Sequence, residues 1–235
     1  MLFDLRSGGR RRTVKTVYLG LALLMFVGFV GFGIGANTVG GGLGDAITGG
    51  GQGGGDEAAV ERLTNQVRSA ERRTKASPSD PAAWAALAQS RIRLASVGDN
   101  LDPATGQYTA EGRRQLTAAG AAWDKYIALD PAQPDERLAR QMAQAFVSIN
   151  APDRAVGAQE VVAEIEPSEQ TYSNLALLAY QAGQTRKGDL AADKAVDLAD
   201  KDDRKELKEQ LDQAKSQAAL QQIQQAVPSA TPAGR

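Results

Sequence analysis

The sequence predicts an all-α protein: an N-terminal transmembrane helix, a Gly-rich linker, then an α-solenoid of about three helix pairs with flanking helices. Three observations carry that prediction. Residues 17–35 hold 19 positions without a charge, directly behind a basic segment. Glycine is concentrated at the front, with 17 of the 25 in residues 1–55, so two unlike polymers are joined end to end. From Asp56 onward Ala, Gln, Leu, Glu, Arg and Lys dominate, and a pattern of large and small residues recurs at a spacing of 33. Such composition favours helices, and recurrence at a fixed period of that length marks stacked repeats.

Residues 1–16 carry Arg6, Arg10, Arg11, Arg12 and Lys15 against Asp4, a local charge of +4. The apolar run that follows would rise about 28 Å as a helix, close to the hydrocarbon thickness of a bilayer. A soluble core helix of that length shows a polar face, and this one has none. Residues 17–36 are therefore expected to meet membrane lipid, with Tyr18 at the interface. The charge asymmetry puts the N-terminus inside and the rest of the chain outside the cytoplasmic membrane, as a single-pass plasma-membrane protein. The competing reading is a cleaved signal peptide, for which Gly33 and Gly35 offer small residues, although the apolar stretch exceeds the usual length. GFGIGA (31–36) has no βαβ unit around it and is not a dinucleotide fingerprint. Gly31 and Gly35, with Gly28 one turn earlier, form a GxxxG face through which two anchors can approach, so a homo-oligomer is a further expectation. Residues 37–55 read as a flexible tether. Ten of the sixteen positions in 40–55 are Gly, and such a stretch reaches about 20–24 Å.

Residues 56–77 form a leading helix with Val60, Leu63, Val67 and Ala70 on one side. Helix pairs fill 78–200. Leu87-Ala88, Met142-Ala143 and Leu175-Ala176 sit in the first helix of each pair, and the small residues Ala119, Ala155 and Gly188 sit in the second. Ala143 to Ala155 and Ala176 to Gly188 are each 12 residues apart, and Met142 to Leu175 is 33. Small residues let helices approach while large ones fill the space beside them. With Trp84 and Tyr172 at the bulky position, Ala139 there in the second copy, Gly183 between helices and Pro131 and Pro167 at helix closings, this pattern resembles the tetratricopeptide repeat (TPR), a helix–turn–helix unit.

The first copy departs from the pattern through an insertion at about 97–112, whose Asp-Pro and Thr-Gly steps read as turns. Thr109 is placed to cap the next helix, with Glu111 in its first turn. Asp99 and Asp102 lack the spacing of a calcium loop and read as solvated turn residues. The second helix of that copy carries Leu116, Ala119, Trp123, Tyr126 and Ile127 on one stripe. Gly188 stands where a small Ala is usual, at an expected cost of about 1 kcal/mol. Residues 201–227 form a capping helix with Leu207, Leu211, Ala214 and Ala218 in phase, slipping at Leu220 and Ile223. Residues 228–235 read as a disordered tail.

The chemistry available is narrow. The chain has no Cys and no His, which removes thiolate nucleophiles, imidazole bases and His-bearing zinc sites together. No GxSxG or SxxK context supports an alternative nucleophile. No enzyme activity, no metal and no cofactor are therefore expected. The 27 basic and 28 acidic residues leave a net charge of −1, and alternation of the two signs along the helices opposes nucleic-acid binding. Recognition of a protein or peptide partner remains.

In repeats of the resembled kind the first helices line a concave groove. Projection of the helical period places Gln89, Arg93, Arg137, Arg140, Gln144, Asn174, Tyr180 and Gln181 there. Arg137 and Arg140 are helix neighbours, which fits a carboxylate or acidic segment as guest. The chaperone-tail clamp of some TPR proteins is not expected, because Ala85, Gln89, Gln141 and Gln170 occupy most of its positions and only Asn174 matches. The layout implies a membrane-anchored TPR adaptor or scaffold, acting in secretion or envelope assembly. It resembles ancillary repeat-containing subunits of the bacterial Sec translocon, and actinobacterial-type membrane TPR proteins opening with FDLR…RRR. Two rival expectations are a self-assembling structural membrane protein and, if the N-terminal segment is cleaved, a secreted TPR binding protein.

Overall fold

The computed structural model describes residues 54–226. The basic segment, the expected transmembrane helix at 17–36 with its GxxxG face, nearly all of the linker and the tail lie outside the described residues. Among the described residues no helix is long and apolar enough to cross a membrane.

The described chain is all-α. Its helices are α1 (Gly54–Ala76), α2 (Pro81–Ala95), α3 (Ala110–Ala128), α4 (Glu136–Ser148), α5 (Pro152–Ile165), α6 (Glu169–Gln181), α7 (Thr185–Leu198) and α8 (Arg204–Ala226), with one 3₁₀ turn at Gly98–Asn100. Their boundaries follow local chemistry. Asp80, Thr109, Asp135 and Ser168 are N-caps whose side chains accept from Ala82, Gly112, Leu138 and Thr171 backbone N–H groups, and each satisfies one orphan donor of the first turn. Pro81 and Pro152 open α2 and α5 at a position that tolerates proline. Three helices stop on residues with positive φ: Asp130 after α3 and, with backbone bonds that close the exit, Asn150 after α4 and Gly183 after α6. There the Ala151 N–H donates to the Phe146 carbonyl and the Gln184 N–H to Ala179, both at 2.8 Å, the closing pattern of a left-handed helix exit.

Packing runs in chain order. The densest contacts are α2 with α3, α6 with α7 and α4 with α5, followed by α1 on α2 and α5 on α6; α8 lies against both α6 and α7. The six small residues expected at the pair crossings, Ala88, Ala119, Ala143, Ala155, Ala176 and Gly188, are all buried. So are their large neighbours Leu87, Met142 and Leu175. A methyl group on Gly188 would lie 2.4 Å from the Tyr180 ring. Gly188 is therefore the residue this crossing requires, and the helix-propensity cost expected at that site is offset by the approach it permits. The flanking helices pack as expected. Leu63, Val67 and Ala70 of α1 are buried, as are Leu207, Leu211, Ala214 and Ala218 of α8, while Leu220 and Ile223 are exposed. Trp84 departs from its expected packing role: it is half-buried and its indole N–H donates to the Pro78 carbonyl at 2.8 Å.

The connection from α2 to α3 carries the insertion. Asn100 is buried; its Nδ2 donates to the Leu94 carbonyl at 2.8 Å, and its own carbonyl accepts from the Thr109 N–H at 3.0 Å. Leu101 and Tyr108 form an isolated antiparallel bridge. Within the turn Asp102–Gln107, which groups apart from the helical unit, the Asp102 carboxylate accepts from the Ala104 N–H at 2.8 Å and the Thr105 N–H at 3.4 Å. Those bonds, the Ala104 one foremost, hold its carboxyl below the usual value. This is an Asx-type turn whose acid serves its own backbone.

Candidate functional site

The eight residues expected to face a partner lie on α2 (Gln89, Arg93), α4 (Arg137, Arg140, Gln144) and α6 (Asn174, Tyr180, Gln181). α2 touches α4 directly. Arg93, Arg137 and Gln144 are exposed; Gln89, Arg140, Asn174 and Gln181 are half-buried. Among the described residues none of the eight side chains bonds to another of the set.

Tyr180 is a correction. Only 3% of it is exposed, because α7 and α8 close over it. Its hydroxyl donates to Asp189 Oδ1 at 3.0 Å, Asp189 pairs with Lys215 of α8 at 2.8 Å, and Gln222 Nε2 donates to the Tyr180 carbonyl at 2.9 Å. Tyr180 thus joins the last helix pair to the capping helix and presents no surface to a guest. Burial, reinforced by the Asp189 carboxylate, pushes its hydroxyl well above the usual phenol value. The Lys215 ammonium, then the Tyr180 hydroxyl, hold the Asp189 carboxyl below its ordinary 3.8. The two groups act at opposite ends of the pH scale. Tyr180 is raised in the fold, so its contribution is whole below the unfolded value of about 10 and is lost as pH climbs beyond it. Asp189 is lowered, so its contribution is whole above 3.8 and is lost as pH falls through the folded value. Tyr180→Phe should therefore flatten mainly the alkaline limb of stability and Asp189→Asn mainly the acid limb in thermal melts across pH, each moving the other limb less, because burial and Lys215 remain the first causes of the two shifts.

Arg140 is also engaged. Its guanidinium bonds Glu136, one turn away on α4, and Glu166 in the α5–α6 connection. An acidic guest must displace those carboxylates, whereas Arg137, exposed one turn earlier, has no such partner among the described residues. Asn174 Oδ1 accepts from Gln170 Nε2 at 3.0 Å. Of the eight, Arg93, Arg137 and Gln144 are exposed with side chains bonded to no other described residue.

Two features escaped the sequence. Arg91, at an unremarked position of α2, ties three helices together, donating to Glu71 of α1 and at 2.9 Å to Gln115 Oε1 of α3. Gln141 Oε1 on α4 and Ser173 Oγ on α6 are buried with no hydrogen-bond partner. The only sequence signal for these is their polar character amid apolar neighbours. Among the described residues no group of acidic side chains is arranged to hold a metal. Comparison with known protein families and with curated proteins finds no match.

Proposed function

We propose that this chain is a non-catalytic, membrane-anchored TPR adaptor that holds a protein or peptide partner on the first-helix face of α2, α4 and α6, outside the cytoplasmic membrane. The observation that carries the reading is the succession of three helix pairs with small residues buried at each crossing, flanked by α1 and α8. That arrangement spreads polar side chains over successive helices, a surface suited to an extended segment rather than to a small molecule. The anchor comes from the 19-residue uncharged run behind the basic N-terminus. A photo-crosslinking residue at Gln144 tests the face in native membranes, with Ala121 on α3 as the control. A discrete adduct from Gln144 and none from Ala121 is expected. Equal labelling from both positions, or protection of residues 56–235 from external protease in stripped cells, would sink the proposal.

A second reading, self-assembly, is favoured by one observation. Leu190 and Leu198 of α7 and Leu220 and Ile223 of α8 are large apolar residues left exposed at the end of the helical succession, where solenoid ends need polar cover. Light scattering on the detergent-solubilised chain separates the two readings: a monomer excludes self-assembly.

A further inference from the structure

Among the described residues some cations are held in ion pairs and others are left exposed without one. From α3 onward Arg114 pairs with Glu111, Arg140 with Glu136 and Glu166, Arg154 with Asp124, Lys187 with Glu160, Lys205 with Glu209 and Lys215 with Asp189, while Arg113, Lys125, Arg186 and Lys194 are spread singly over α3 and α7. The C-terminal half of α1 carries Arg68, Arg72, Arg73 and Lys75, all exposed. Among the described residues none of these four is in an ion pair. The one acid nearby, Glu71, is committed to Arg91 of α2. Arg68, Arg72 and Lys75 lie opposite the buried stripe of Leu63, Val67, Ala70 and Thr74, since residues at i, i+4 and i+7 share one helix side, and Arg73 stands on its flank. Trp84 stands half-buried beside the α1–α2 turn with its N–H already satisfied by Pro78, an aromatic of the kind enriched at membrane interfaces.

We propose that the solvent face of α1, with the α1–α2 corner, rests on an anionic phospholipid surface. The inference depends on the membrane-anchored reading above. Charge complementarity selects the occupant, because a row of unmatched cations on an amphipathic helix is attracted to anionic headgroups. Chain connectivity agrees. Only eighteen residues, 36–53, separate the uncharged run at 17–35 from α1 in the sequence. The adaptor would then lie against the membrane, with α1 as its foot.

The chain has no Cys, so Ser69→Cys, on the exposed side of α1, supplies a single labelling site. The full-length labelled chain is reconstituted into lipid discs carrying an acceptor lipid, and energy transfer from the label is read. Transfer should be about twofold higher in discs containing phosphatidylglycerol than in phosphatidylcholine alone, and should fall to the neutral level in about 1 M salt. Combining Arg68→Gln, Arg72→Gln, Arg73→Gln and Lys75→Gln, all exposed and with similar helix propensity, should abolish the difference. Equal transfer in both lipids, or a difference that survives the four substitutions, overturns the proposal. So does an RNA oligonucleotide raising the label's anisotropy while lipid charge leaves transfer unchanged. A chain that never enters the discs refutes the anchored reading itself, and is told apart by its absence from the purified discs.

Discussion

Replacing Phe146 by Ala should destabilise the helical unit by about 3–5 kcal/mol, the range for emptying a fully buried aromatic site. Phe146 is completely buried and stands where the first helix pair meets the second. The Arg154 guanidinium of α5 lies 4.2 Å above its ring and pairs with Asp124 of α3 at 2.6 Å. Gly120 of α3 makes the space: a methyl there would lie 2.7 Å from the ring and 2.8 Å from the guanidinium. Three helices therefore converge on one side chain. Truncation leaves a cavity and strips Arg154 of its cation–π partner, an interaction worth about 0.5–2 kcal/mol on its own. At about 2–4 °C per kcal/mol for a domain of this size, the melting temperature of the chain in detergent should fall by roughly 6–20 °C. Phe146→Leu, which keeps most of the volume, should cost less than half as much. A loss below about 1 kcal/mol for Phe146→Ala would mean that the two helix pairs are not joined at this ring.

How much of this was legible beforehand depends on sequence distance. The helices, their caps at Thr109, their stops at Gly183 and the phase slip at Leu220 and Ile223 are set by residues a few positions apart, and periodicity reads such spacings well. The small residues at the crossings were legible because they recur. Tyr180 was misplaced because its cover comes from Asp189 on α7 and Gln222 on α8, and a helical projection of α6 alone assigns it to the open side. Arg140 was placed rightly on α4, but its second carboxylate, Glu166, lies 26 residues on. Arg91 reaches Glu71 across 20 residues and Gln115 across 24. No local pattern encodes such pairings. Gly188 is legible as a small crossing residue, but its cost against Ala, expected from propensity, is decided by a ring on the neighbouring helix.

Gly112→Ala and Gly157→Ala, the same change in two helices, should move stability in opposite directions. Gly157 of α5 is exposed and a methyl there meets nothing within 4 Å, so replacement gains up to about 1 kcal/mol of helix propensity. Gly112 lies in the first turn of α3, where a methyl would sit 2.1 Å from the Asn100 carbonyl oxygen and 3.2 Å from the Tyr108 ring. Asn100 has nowhere to retreat. Its side chain is bonded to the Leu94 carbonyl, its own carbonyl to the Thr109 N–H, and the isolated Leu101–Tyr108 bridge pins the next residue. The obstacle is backbone, so the α2–α3 connection must lift off α3 as a unit. Overpacking of that kind costs about 1–3 kcal/mol or more. It also pulls the Gly112 N–H away from the Thr109 hydroxyl that caps the helix, worth about 1 kcal/mol further. Against the propensity gain, a net loss of about 1–3 kcal/mol is expected. Urea midpoints of the two variants, at a common slope, measure the contrast. If Gly112→Ala stabilises as Gly157→Ala does, the inserted connection is not seated on α3, and the first helix pair owes nothing to it.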